Sequence, residues 1–114
     1  MATFTPKELV YPVVLTTNPT VLYTATGVTA LVRTIHFQRR VSEIGPDSPF
    51  GAEVSREVMT DSSTLARAAL LRGTSKVKTV SVVIPDGGTI EGVRDDGHVF
   101  APVPSVAVYG YEIS

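Results

Sequence analysis

Thr29-Ala30-Leu31-Val32-Arg33-Thr34-Ile35-His36-Phe37-Gln38 decides the fold class. Its β-branched and aromatic residues mark a strand. One face of that strand carries Leu31, Arg33, Ile35 and Phe37, and the other Ala30, Val32, Thr34 and His36, so neither face is properly polar. Ser105 to Ile113 repeats the pattern, with Ala107, Tyr109, Tyr111 and Ile113 on one side and Val106, Val108, Gly110 and Glu112 on the other. A sheet with one wet face alternates cleanly, whereas apolar residues on both faces call for a second covering layer. In a chain of 114 residues, that layer is expected to include another subunit.

Outward from these two segments, Leu9 to Leu15, Val21 to Ala25, Ala52 to Met59, Val77 to Ile84 and Thr89 to Val93 read as further strands, each bounded by turn residues. Ile84-Pro85-Asp86-Gly87-Gly88-Thr89 is the clearest turn and is expected to close a hairpin between its flanking strands. Asp95-Asp96-Gly97 is a second turn, after which Pro102 and Pro104 delay the last strand to about Ser105. Arg39 to Gly51 reads as a long surface loop, of the kind that often carries binding. Asp61 to Arg72 is expected to form the one short helix, capped by Asp61, Ser62 or Ser63 and stopped by Gly73, although Leu65, Leu70 and Leu71 do not share a helical face. The expectation is a single all-β domain over residues 1–114, an antiparallel β-sandwich, jelly-roll-like, with one short helix.

Composition narrows the function classes. The chain is 43% hydrophobic but only 18% charged, and its net charge of −1 supplies no positive field for phosphates, so nucleic acid is not an expected partner. With no cysteine there are no disulfides, thiolate nucleophiles or cysteine metal sites. Neither a membrane-spanning apolar run nor a cationic leader is present, and no membrane association is expected. His36 and His98 are 62 positions apart, no Gly-x-Ser-x-Gly elbow or phosphate loop occurs, and the acids near Asp86 to Asp96 fit no EF-hand spacing. No enzyme activity, cofactor or metal is expected. Charge does segregate along the chain, net +3 over residues 33–78 and net −4 over 79–114, which reads as complementary docking between copies.

Two segments carry a family resemblance. Thr20-Val21-Leu22-Tyr23-Thr24, the short turn Ala25-Thr26-Gly27, and Ala30-Leu31-Val32-Arg33-Thr34-Ile35 resemble the opening unit of small β-sandwich virion proteins of tailed bacteriophages, in which a "Leu/Val-Tyr-Thr" strand precedes an "aliphatic-Val-Arg-Ser/Thr-Ile" strand. Ile84-Pro85-Asp86-Gly87-Gly88-Thr89-Ile90 and the closing Val106-Ala107-Val108-Tyr109-Gly110-Tyr111-Glu112-Ile113-Ser114 are similar to that group's ending. The turn departs from the group's usual Pro-Ala-Gly, and Gln38-Arg39-Arg40 replaces its polar Asn-Thr-Ser stretch.

The resemblance implies a non-catalytic structural protein of the virion, assembled in the bacterial cytoplasm without disulfides. Its implied form is an oligomer, a trimer by expectation, attached to the tail or tail tip as a minor tail protein. A capsid decoration protein bound to the major capsid protein is the alternative within that class. A carbohydrate-binding module for host adsorption, using Tyr109, Tyr111 and the 39–51 loop, is the alternative outside it. Arg33, Arg39, Arg40, Tyr109 and Tyr111 are the expected interface contacts, since Arg and Tyr are enriched at interface anchors.

Overall fold

The computed structural model describes residues 2–40, 50–59, 61–71, 73–95 and 103–114. Eight strands follow one another: β1 (Phe4–Val14), β2 (Thr20–Thr24), β3 (Thr29–Gln38), β4 (Phe50–Val58), β5 (Asp61–Leu70), β6 (Ser75–Ile84), β7 (Thr89–Arg94) and β8 (Ser105–Ile113). They form two four-stranded sheets, β1-β8-β3-β6 and β2-β7-β4-β5, with every pairing antiparallel. The pairs β1/β8, β2/β7, β3/β6 and β4/β5 show how this arises. The chain doubles back on itself near its midpoint, at Met59, and the resulting ribbon rolls up so that β8 also meets β3 and β7 also meets β4. This is the eight-stranded jelly roll.

The expected helix over 61–72 is instead the strand β5. Ala66, Ala68 and Leu70 are buried while Arg67 and Ala69 are exposed, a period of two that outweighs the helical propensity of Ala and Leu. Gly73 does mark a stop, at φ 71°, but it turns β5 into β6, with the Thr74 amide donating to the Leu71 carbonyl. The turn at Pro85–Gly88 also forms, with Gly87 at φ 89° and the Gly88 amide donating to the Pro85 carbonyl at 2.8 Å. It closes no hairpin, because β6 and β7 lie in different sheets. It crosses the sandwich beside the β2–β3 connection, and the two crossings are clamped by Gly87 N to Ala25 O, Ala25 N to Gly88 O and Gly27 N to Asp86 Oδ1.

Between the sheets, Val32, Ile35, Phe37, Ile84, Val106 and Val108 from one side pack on Ala52, Val54, Ala66, Ala68, Leu70 and Ile90 from the other. Bulky residues face small ones, which is how two inner faces interdigitate at native density. Gly92 extends the pattern: a Cβ there would come within 2.7 Å of both Leu15 and Leu22.

Three arginines fasten the layers across this core. Arg39, 1% exposed at the end of β3, donates from Nη1 to the Leu70 carbonyl of β5 at 2.7 Å. Arg56 reaches from β4 to the Val83 carbonyl of β6 at 3.3 Å, and Arg94 Nε donates to the Leu15 carbonyl at 2.9 Å. Arginine suits this work because its stem packs against apolar surface while its planar head satisfies backbone carbonyls. Tyr23 of β2 adds a further bridge, donating to Glu112 of β8 at 2.7 Å, and Lys7 of β1 lies 3.1 Å from the same carboxylate.

Candidate functional site

The two outer faces of the sandwich differ in chemistry. On the β2-β7-β4-β5 sheet, Glu53 pairs with Arg67 at 2.8 Å and accepts from Thr64, and Glu57 and Glu91 interact in the neighbouring rows. This face is polar and solvated. The charge segregation along the sequence does not survive folding, because β7 of the acidic segment is hydrogen-bonded to β4 of the basic one.

Burial, followed by the charge and hydrogen bond of Glu57, raises the Glu91 carboxyl above the ordinary glutamate value of 4.5. Glu112 moves the other way, held low first by the Tyr23 hydrogen bond and then by Lys7, against the effect of burial. The two carboxylates therefore oppose each other in pH dependence. The contribution of Glu112 is present at neutral pH and is lost as pH falls below about 4.5. Glu91 binds its proton more tightly folded than unfolded, so its repulsion lowers stability as pH rises through the window above 4.5. Glu91→Gln is accordingly expected to raise the melting temperature by roughly 1–3 °C at pH 7, with the gain vanishing near pH 4 when thermal melts are compared.

The outer face of the β1-β8-β3-β6 sheet mixes polar residues with most of the large apolar side chains that stand exposed. The register sets its side chains in rows: Pro6, Tyr111, Leu31 and Val83 in one; Glu8, Tyr109, Thr34 and Thr79 in the next; then Ala107, His36 and Val77; then Val14, Ser105, Gln38 and Ser75. Of the nine exposed large apolar side chains among the described residues, Phe4, Val14, Val77, Val83 and Tyr109 project from this face, and Tyr11 is carried outward beside a bulge in β1. Exposures of 49–59% for Phe4, Val14, Val77 and Val83 mean that neighbouring side chains do not cover them. Large apolar side chains left uncovered on one face make it the candidate interaction surface.

A line of register shifts crosses the same sheet. Against β8, β3 carries the extra residue Arg33, and β1 shifts between Glu8 and Val10. A bulge places two successive residues on one side of the strand. That is why Arg33 joins Thr34 on the outer face, with Nη1 donating to Ser81 Oγ of β6 at 3.3 Å, and why Ile35 returns to the core.

Of the five expected contacts, Arg33, Tyr109 and Tyr111 are together on this face. Tyr109 is 37% exposed, and Tyr111 stands edge-on to Phe4 with ring centroids 6.5 Å apart. Exposed Arg40 lies at the end of the same sheet, lining a groove of about 320 Å³ with Pro12, Val14, Gln38, Val103 and Ser105. Arg39 departs from the expectation of a surface contact: its side chain is interior and holds β5. Glu8, which the sequence did not single out, stands beside Tyr109 on this face, a placement that only the strand register supplies. Residues 41–49 of the expected binding loop and His98 lie outside the described residues. A groove of about 420 Å³ on the other sheet is walled by Glu53, Arg67 and Asp95, with no aromatic ring among the described residues of its lining.

The jelly roll has counterparts among solved structures. A chain from the T13 particle of infectious bursal disease virus, reported as a missing link in the evolution of icosahedral viruses, is similar to this one with a TM-score of 0.58 at 12% identity. A chain from the Gx strain of the same virus is similar with a TM-score of 0.42 at 14% identity. In both cases 99% of this chain is covered, and it spans 30% of the length of the solved chain. No family model matches the sequence, and no curated protein does. At such identity the likeness establishes the fold, an all-β antiparallel sandwich of the jelly-roll type.

Proposed function

We propose that this chain is a structural module of a virus particle that acts by assembly, docking its β1-β8-β3-β6 face on neighbouring virion protein. The observation that carries the reading is the contrast between the two outer faces: one holds paired charges and exposes Val21, and the other exposes Phe4, Val14, Val77, Val83 and Tyr109. Jelly rolls serve widely as capsid modules, and the chain of the T13 particle is an example with the same fold. The sequence resemblance to tailed-phage virion proteins supports a tail-associated place, with assembly in the host bacterial cytoplasm. Attachment to the head as a decoration protein is the second reading, favoured by the icosahedral particle from which that solved chain comes.

The test is fractionation of particles, with this chain detected by antibody in separated heads and tails. Enrichment with tails supports the first reading, enrichment with emptied heads the second, and absence from both overturns the virion role.

A further inference from the structure

The open face has a symmetry of charge that names its occupant. Within its four strands the charged residues on the outward register are Glu8 and Arg33: Lys7 and Glu112 face the other way and form their own pair, and Lys76 and Lys78, exposed on the edge strand β6, pair with the inward residues Phe37 and Ile35. Glu8 and Arg33 both belong to the row through Tyr109, but at opposite margins. Glu8 stands on the edge strand β1, while the guanidinium of Arg33 extends to Ser81 on the other edge strand, β6.

We infer that the face pairs with the same face of a second copy, about a two-fold axis running parallel to the strands between β8 and β3. That operation lays β1 of one copy over β6 of the other and β8 over β3, so each Glu8 comes over the partner copy's Arg33, a pair formed twice in the dimer. An axis perpendicular to the strands would instead place Glu8 on Glu8. Aligned packing of two sheets face to face is an established arrangement. It also requires a two-fold, since a ring of three joins two different patches, whereas a face meeting itself is isologous.

Strands of 9–11 residues at the usual spacing present a face of roughly 20 by 30 Å, about 600 Å² per copy. The buried total of about 1,200 Å² is at the lower end for specific association, so a concentration-dependent dimer is expected. This pairing rests on the reading of that face as an assembly surface and specifies what first covers it.

Sedimentation velocity on the full chain from about 1 to 100 µM tests the pairing. Wild type is expected to shift from monomer to dimer across that range. Glu8→Arg, at a half-buried position, and Arg33→Glu, at an exposed one, each with its folding checked by circular dichroism, should weaken association by at least about tenfold, and the double reversal should restore it. A wild-type monomer at the highest concentration, a trimer, single reversals without effect, or a double reversal that stays monomeric would each overturn the pairing. A monomer that still enters particles would overturn the pairing and leave the virion role standing. A dimer absent from particles would do the reverse.

Discussion

Gly110→Ala is expected to remove a large share of the protein's folding stability. Gly110 pairs with Val32 where β3 bulges against β8, and a Cβ at that position would be driven into the carbonyl oxygen of Leu31, with the Leu31 carbonyl carbon only 3.0 Å away. Both obstacles are backbone in the central strand pair, so no rotamer change relieves the clash. Relief requires the bulge itself to move, and with it the phase that puts Arg33 outside and Ile35 inside. The loss is expected to be about 3–5 kcal/mol, a large share of the roughly 5–15 kcal/mol available to a domain. Gly27→Ala is the natural control, since its φ of 72° is unfavourable for Ala but nothing lies within 4 Å of the added carbon. Its cost should be nearer 1 kcal/mol. Urea unfolding curves of the two variants measure the difference, and similar midpoints would mean that the bulge yields easily.

Arg39→Ala is the second large effect. The guanidinium is buried and supplies a donor to the Leu70 carbonyl, while the Arg39 amide donates to the Thr74 carbonyl at 2.9 Å. Truncation strands a buried acceptor and empties the space the side chain occupied between the end of β3 and the end of β5. Together these terms amount to about 3 kcal/mol or more. Arg39→Lys should recover only part of it, because a single ammonium cannot reproduce a planar fork of donors. Arg33→Ala, on the exposed face, should change stability by less than about 0.5 kcal/mol. Equal midpoints for Arg39→Ala and Arg33→Ala would return Arg39 to the surface role its sequence context implies.

The contrast between those two arginines shows what sequence could and could not convey. The strand from Thr29 to Gln38 was legible to the residue, and its mixed faces matched a strand buried on one side and half-exposed on the other. What the pattern could not locate was the bulge. Strict alternation put Arg33 on the same side as Ile35 and Phe37, whereas one extra residue against β8 sends Arg33 out and the other two in. The strand β5 was obscured for a different reason. Its hairpin turns at Met59, which takes φ 55° without the Gly, Asn or Asp that advertises such a turn, and the Ala-rich stretch beyond it has the composition of a helix. The Pro85–Gly88 turn was visible, but whether a turn closes a hairpin or crosses between sheets depends on which strands pair, and here the partners of β6 and β7 lie far away in sequence. Arg39 and Arg56 were invisible as clamps because only the folded ribbon brings Leu70 and Val83 within their reach.

Covalent footprinting of the assembled particle shows which outer face of the sandwich is covered on assembly. Solvent labelling of Phe4, Val77, Val83 and Tyr109 on the β1-β8-β3-β6 face is compared with that of Val21 on the opposite sheet, in the isolated chain at low concentration and in purified particles. The account predicts that the first four side chains lose their labelling on assembly while Val21 keeps its own. Undiminished labelling of the β1-β8-β3-β6 face in the particle, or protection of Val21 in its place, would contradict it.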